Sequence, residues 1–212
     1  GQWRFPRREI EAWLLEQQAG QDWTSTPVLP ADTPAPLAQA LPLTCLAPIQ
    51  ALCAEVMDVA VVTTDMDGVP LAGVSNSCDF CSLILSTEEG RLRCAGSWRE
   101  RADGQLQACH ARLLCASAPI LAAGQPVALA AACQFTTTAP AWQPDLADLA
   151  AGLGLAEADL RAAAGGVRAR QVGDLPRVSS LVRRLAEAFS EIGQGRLNLV
   201  GRLEKIAEMS KL

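Results

Sequence analysis

The sequence predicts an α+β fold, in which antiparallel hairpins form a sheet flanked by helices and a long helix ends the chain. Two observations predict the hairpins, because apolar, strand-like stretches surround the tight-turn signals Asp67-Gly68 and Ala123-Gly124. A third observation predicts the long helix, because apolar side chains recur every seven residues after Pro176.

The composition fits one folded domain with appended segments. The chain has 212 residues, half of them hydrophobic, with a net charge of −5 and a pI near 5.0. The acidic balance gives no general attraction to nucleic acid, so direct nucleic acid binding is not expected. No uncharged apolar run reaches the length of about 18 residues that suggests a membrane span. The chain begins with Gly1 and no signal-peptide core follows it, so we expect a cytoplasmic piece of a longer protein.

Four segments are predicted along the chain. Residues 1–20 contain an amphipathic helix, and residues 21–43 form a proline-rich linker without regular structure, because each proline removes a donor and fixes φ. Residues 44–175 form the main domain, and residues 176–212 form the long helix.

The main domain is predicted to contain, in order, a helix over residues 44–58, a hairpin over 59–74, a helix that begins near Thr87, a hairpin over 118–135 and two short helices over 144–164. Ser86 or Thr87 is the expected cap of the second helix, because acidic residues follow it. A loop is predicted from the short helices to Pro176. The many alanines of the second hairpin would leave room for a cofactor or ligand against the sheet.

Cysteines are concentrated in one stretch of the main domain. The chain has eight cysteines and a single histidine, and the stretch from Cys78 to Cys115 holds five of the cysteines together with His110. Cys78 and Cys81 form a CxxC pair, and Cys94 and Cys109 follow at longer intervals. Without a secretory signal, this spacing indicates metal binding or redox chemistry rather than structural disulfides.

Thiols of this stretch are candidate ligands of one tetrahedral site. A CxxC pair holds two sulfurs close enough to chelate one ion, and two further thiolates complete a Cys₄ set. We favour an iron–sulfur cluster of the 4Fe-4S type, with zinc as one alternative and metal-free thiols, including a disulfide switch, as another. His110 is expected to orient a ligand or to bind directly. The predicted metal ligands are Cys78, Cys81, Cys94 and Cys109, and the predicted cofactor-binding residues also include Cys115 and His110, while Cys115 or Cys133 could replace one of the four.

The repeat in the long helix forms a coiled-coil seam. Such a seam predicts a homodimer through a two-stranded coil, while the alternative is a helix that packs in the core of its own chain. The first apolar position is occupied by Val178, Leu185, Ile192, Leu199 and Ile206, and the second by Val182, Phe189 and Leu203.

The order of motifs across residues 45–192 resembles the PocR-type sensory domain, a PAS-like module of bacterial signalling proteins that include histidine kinases and transcription regulators. The motifs that carry the resemblance are, in order, DMDGVPL, CSLI, EGRLRC, CHARL, API and a hairpin that ends in Gln-Phe. The resemblance implies a PAS-like antiparallel sheet flanked by helices. The family positions match Cys81, Cys94 and the pair Cys109-His110.

The chain departs from the family pattern at several positions around the same stretch. Arg112 stands where glycine is usual, and Cys115 stands where an acidic residue is frequent. Cys133 replaces a glycine that precedes Gln134, and Cys78 is an addition. Because most of these departures add thiols, they favour a metal or cluster over a simple propanediol-type ligand pocket.

The function expected from these observations is a sensory input domain for signal transduction. Its cysteine-ligated site would sense redox state, a gas or a small molecule, and the C-terminal helix would relay the signal to an output domain outside this chain. One alternative is a sensor of a small organic ligand with structural zinc or metal-free thiols, and another is a thiol oxidoreductase. An enzyme is not expected, because the chain has one histidine and no GxSxG, P-loop or HExxH motif.

Overall fold

A computed structural model describes residues 41–100, 102–138 and 142–209. The segments predicted over residues 1–20 and 21–43 lie almost wholly outside the described residues, so the division of the chain into four segments stays a prediction. The helices are α1 (Leu43–Met57), α2 (Asp79–Ser86), α3 (Glu88–Arg99), α4 (Leu146–Leu153), α5 (Glu157–Ala164) and α6 (Leu175–Met209), and the strands are β1 (Ala60–Thr64), β2 (Gln107–Ala108), β3 (Leu114–Ala122), β4 (Gln125–Thr137) and β5 (Arg168–Arg170).

The strands form one sheet in the order β1-β4-β3-β2, and all of these pairings are antiparallel. β5 adds a short parallel pairing at the end of β4, and a 3-10 turn then leads into α6. The α+β prediction is confirmed, including the flanking helices and the long C-terminal helix. β5 replaces part of the loop that the sequence predicts before Pro176.

The two hairpins differ in regularity. Ala123 and Gly124 both have a left-handed φ, of 51° and 77°, which is the two-residue turn whose twist suits a hairpin, and β3 and β4 extend well beyond the predicted strands. After β1 the returning chain makes only isolated bridges, between Val61 and Ser75 and between Thr64 and Pro70. A proline has no amide hydrogen to donate to a ladder, which helps to explain why this segment is not a full strand.

The sheet has two faces with different coverings. One face is lined by small side chains and is covered by α1 and α6, whose residues Leu46, Val182 and Phe189 are buried against it. The expectation that these alanines leave room for a cofactor is therefore wrong, because helices occupy that space. The alanines of this face are Ala116, Ala118, Ala122, Ala128, Ala130 and Ala132.

The opposite face carries a smaller cluster. Cys115 of β3 and Cys133 of β4 are buried there with Trp98 of α3, and Cys94 packs against them. Successive strand residues point to opposite faces, so Ala116 and Ala132, next to these cysteines in the chain, lie under α1 and α6. We call this second surface the cysteine face.

α6 uses its seven-residue repeat in two ways along its length. In the first half, Val178, Val182 and Phe189 are buried on the sheet, as a helix in the core of its own chain would be. In the second half, Leu199 and Leu203 are 57% and 55% exposed, and Ile206 and Met209 are also exposed. Within the described residues, no helix is both long and apolar enough to cross a membrane.

Replacing Phe189 with alanine is expected to lower the free energy of unfolding by about 3–5 kcal/mol, because a fully buried ring leaves a cavity between α6 and the sheet. Urea denaturation followed by circular dichroism measures the change. Leu92→Ala is the control, since Leu92 is 62% exposed on α3 and its loss should change stability by no more than about 0.5 kcal/mol. Equal effects of the two substitutions would contradict the packing of α6 described above.

Candidate functional site

The CxxC pair lies at the N-terminus of α2. Cys78 is the N-cap residue in an extended conformation, and Cys81 lies in the first turn of the helix. The backbone N–H of Cys78 donates to Oε1 of Gln134 at 2.8 Å, and the hydroxyl of Ser77 donates to the same oxygen at 3.1 Å. Gln134 thus ties the start of α2 to β4, and both cysteines are buried, at 6% and 7% exposure.

Cys94 is positioned by the tight junction between α2 and α3. Thr87 caps α3 as predicted, and its side-chain oxygen accepts from the N–H of Gly90 at 2.9 Å. A Cβ atom at Gly90 would stand 1.9 Å from the carbonyl oxygen of Ile84, so only glycine permits this close approach. The junction directs α3 across the cysteine face, where Sγ of Cys94 lies 3.4 Å from Nε2 of His110.

Cys109 and His110 lie in a turn between β2 and β3. The N–H of Cys109 donates to the carbonyl of Leu113 at 2.7 Å, and the N–H of Arg112 donates to the carbonyl of Cys109 at 2.8 Å. Arg112 has a left-handed φ of 58°, which costs a residue with a side chain about 1–2 kcal/mol and explains why glycine suits this position. Nδ1 of His110 is buried without a hydrogen-bond partner.

Cys115 and Cys133 lie opposite each other at a β-bulge. The pairing of β3 with β4 shifts between Leu114–Phe135 and Ala116–Ala132, so Cys133 and Gln134 together oppose Cys115. Gln134 is the residue with the unusual backbone, at a φ of 64°. Cys115 is fully buried, Cys133 is 5% exposed, and the two thiols form a side-chain hydrogen bond.

Six cysteines of the main domain lie in two adjoining buried clusters. One cluster contains Cys78 and Cys81 with Cys109 packed against it, the other contains Cys115 and Cys133, and Cys94 packs against both. We call the six the thiol cluster, which comprises Cys78, Cys81, Cys94, Cys109, Cys115 and Cys133. The other two cysteines lie on α1, where Cys45 is exposed and Cys53 packs against the core of the helix-covered face.

Arg168 of β5 joins the thiol cluster to the approach to α6. Its Nε lies 3.1 Å from Oδ1 of Asp58, and its Nη1 donates to the backbone oxygen of Asn76 at 3.1 Å. Asn76 is two residues before Cys78, while β5 is followed by the turn that begins α6. Neither Arg168 nor Gln134 was predicted as a site residue. No local pattern marks Arg168, whereas the polar side chain of Gln134 inside an apolar strand was an available signal.

Residues 39–194 match the family described as the sensory domain found in PocR. The chain belongs to the PocR sensory-domain family. This match contains the whole of the predicted resemblance over residues 45–192. No curated protein and no solved structure matches the chain. As a PocR sensory domain, the chain is a signal-sensing input domain, which implies a downstream output partner or a ligand.

The pKa values of the cysteines in the PocR thiol cluster shift in different directions. The hydrogen bond that Cys81 donates to Cys78, followed by burial, raises the pKa of Cys81. Burial, followed by the neighbouring thiols, raises the pKa of Cys94. Burial also raises the pKa of Cys109, although backbone hydrogen bonds lower it in part. Cys78 differs, because the hydrogen bond from Cys81 lowers its pKa to about 6, with a smaller contribution from Arg168.

The surroundings of His110 favour a neutral imidazole in this PocR domain. Burial, followed by the nearby charge of Arg93, lowers the pKa of His110. A neutral ring has one nitrogen that donates and one that accepts, which suits a partner of Cys94.

Metal-binding geometry is not already formed in this arrangement. Among the residues that the structure describes, no group of three or more His, Cys, Asp or Glu side chains is placed to hold a metal ion. Two pairs of thiols are instead joined by hydrogen bonds, Cys78 with Cys81 and Cys115 with Cys133.

In metal-free reduced protein, the thiolate of Cys78 is expected to form with a midpoint near pH 6, and Cys81→Ala should raise that midpoint, because the S–H donor is lost. Thiolate ultraviolet absorbance measured against pH reports the ionisation. Because the folded-state pKa lies below the ordinary value of 9.0, the ionisation stabilises the fold fully above pH 9, and this contribution disappears as the pH falls through 6.

Cys81→Ser serves as the matched control, since its hydroxyl retains a donor at the same place. A midpoint that Cys81→Ala leaves unchanged would show that the hydrogen bond between the two side chains does not set the pKa of Cys78.

Proposed function

We propose that this PocR domain senses its signal at the thiol cluster, through a thiolate-bound metal that responds to redox state, a gas or a small molecule. The observation that supports the proposal is that six cysteines, from α2, α3, the β2–β3 turn, β3 and β4, lie in two adjoining buried clusters that share Cys94. An iron–sulfur cluster is the favoured cofactor and zinc is the alternative, because thiolate suits both.

Cys78, Cys81, Cys94 and Cys109 are the proposed ligands. Burial raises the pKa of Cys94 and Cys109, and the hydrogen bond with Cys78 raises the pKa of Cys81. A bound cation would favour the deprotonated form of each, so metal binding would release protons. The proposal includes rotation of these side chains on binding, since the thiols otherwise form hydrogen-bonded pairs. His110 would orient Cys94 through the 3.4 Å contact between Nε2 and Sγ.

The proposed relay crosses the sheet from the cysteine face to α6. Gln134 holds the N-cap of α2 from β4, and Arg168 holds the preceding loop from β5, which continues into α6. A change in the charge or spacing of the thiols would therefore act on two contacts that lead to this helix. Signalling further requires that the loaded and unloaded sites favour different positions of α6.

A second copy of this chain is the proposed partner of the exposed half of α6. Leu199 and Leu203 continue the seven-residue repeat whose earlier positions pack on the sheet, and both side chains are exposed. A dimer seam there would carry a shift of α6 to an output domain in the longer protein.

The main alternative is a PocR sensor of a small organic ligand, with structural zinc or metal-free thiols. A cavity of about 100 Å³ between α1 and α6 is lined by Arg170, Arg177 and Leu181, among others. Ligand pockets commonly measure about 300–1,000 Å³, so this cavity is smaller than a usual ligand site.

Catalysis is not proposed for this chain. A CxxC pair that opens a helix with a lowered pKa at Cys78 is the arrangement of thiol oxidoreductases, and this observation keeps that activity as a second candidate. Burial of both sulfurs opposes attack on a protein disulfide. Turnover of a small disulfide in the presence of a reductant would show that the chain is a thiol oxidoreductase.

Anaerobic purification is expected to give protein with bound metal, and Cys94→Ser and Cys109→Ser should each remove it, because each takes away one thiolate of the set. Metal and acid-labile sulfide analysis measures the content, and iron with equal sulfide identifies a cluster. Cys45→Ser is the control, since Cys45 is exposed on α1. Full metal content in Cys94→Ser would disprove the ligand set, and colourless protein with stoichiometric zinc would disprove the cluster.

The full chain is expected to be a dimer, and the double substitution Leu199→Glu and Leu203→Glu should make it monomeric, because like charges would meet in the apolar seam. Light scattering coupled to size exclusion measures the mass. The matched control places glutamate at Leu92 and at Val172, which are exposed outside α6, and should leave the dimer intact. A monomeric wild-type chain would contradict the proposed partner.

A further inference from the structure

Cys115 and Cys133 form a second thiol site beneath the four proposed metal ligands. They lie on neighbouring antiparallel strands, and the bulge sets Cys115 opposite Cys133 and Gln134. Their side chains are hydrogen-bonded to each other in the buried cluster that also contains Trp98. No other use of these two thiols follows from the proposed ligand set.

The geometry of neighbouring strands permits a covalent bond at this position. Residues opposite each other in an antiparallel pair have Cα atoms about 4.5–5.5 Å apart, and disulfides span Cα distances of about 4.4–6.8 Å. Both side chains lie in the same buried cluster, so they point to the same side of the sheet. A disulfide would thus require little movement of β3 or β4.

We propose that Cys115 and Cys133 are a redox-sensitive pair that closes to a disulfide when a peroxide reaches the cysteine face. The pair is independent of whether the other four thiols bind a metal. Cys94 packs against this pair and is only partly buried, so a small oxidant would approach from its side.

The chemistry balances with hydrogen peroxide as the oxidant. The Cys133 thiol loses its proton to solvent, and the thiolate attacks one peroxide oxygen, so that an S–O bond forms, the O–O bond breaks and hydroxide leaves. The Cys115 sulfur then attacks the Cys133 sulfur, so that the S–S bond forms while the S–O bond breaks. The Cys115 proton leaves with the departing oxygen, and two thiols and one peroxide become one disulfide and two waters.

A disulfide between Cys115 and Cys133 would affect the rest of the domain through the contacts of the two strands. Ala116 and Ala132, the chain neighbours of the two cysteines, lie on the opposite face in the core under α1 and α6. Gln134 in the same bulge holds the N-cap of α2. A covalent link at the bulge would restrain both contacts at once, because bulges bend and twist the strand that carries them.

Tryptic peptide mapping of the full chain tests the proposal, because residues 113–161 contain Cys115 and Cys133, no other cysteine and no internal Lys or Arg before Arg161. Metal-free reduced protein is treated with hydrogen peroxide, quenched with an alkylating reagent and digested. The expected peptide is unalkylated at both positions and lighter than the reduced peptide by two hydrogen atoms. Dithiothreitol should restore alkylation at both positions.

Cys115→Ser should abolish the change in this peptide, while Cys45→Ser should leave it intact. Double alkylation of the peptide after peroxide treatment would overturn the proposal, and so would its recovery cross-linked to the peptides that carry Cys94 or Cys109. Because the protein is metal-free in this experiment, failure here leaves the proposed metal site standing, and absence of metal leaves the disulfide standing.

Discussion

The β-bulge at Cys133 and Gln134 is the constraint on which the candidate site depends. If side chains alternated between the two faces along the whole of β4, Phe135 would point towards the cysteine face. The bulge adds one residue to β4, so Phe135 instead lies in the core under α1 and α6. It also frees the Gln134 side chain to accept from the N–H of Cys78. A single irregularity therefore joins the strand beneath the thiols, the N-terminus of α2 and the strand pair that leads to α6.

Local signals in the sequence predicted most of the fold, and the reasons are particular. Gly124 allowed the turn of the long hairpin, Thr87 with the following acids capped α3, and the repeat after Pro176 gave α6. β5 could not be predicted, because a three-residue strand has no periodicity and depends on the arginine contacts with Asp58 and Asn76. The alanines were misjudged because their small size suits close helix packing as well as a ligand.

The spacing of the cysteines indicated that four thiols belong to one site, and this ligand set stays a prediction. The structure divides them between two adjoining clusters, in which Cys94 packs against the group of Cys78 and Cys81 and against the pair Cys115 and Cys133. The pairing of Cys115 with Cys133 depends on strand register and a bulge, which no local pattern encodes. The resemblance to the family had already marked both cysteines as departures from the expected pattern.

Hydrogen–deuterium exchange of the α6 backbone amides tests most directly whether the thiol cluster communicates with this helix. The exchange is compared between anaerobically purified, metal-loaded protein and protein from which the metal has been removed. We expect a change in exchange over the sheet-packed half of α6, from Leu175 to Phe189, and a smaller change in Arg168→Ala, because one of the two proposed contacts is lost. Identical exchange along α6 in the two states, with metal loading confirmed, would contradict communication between the thiols and this helix.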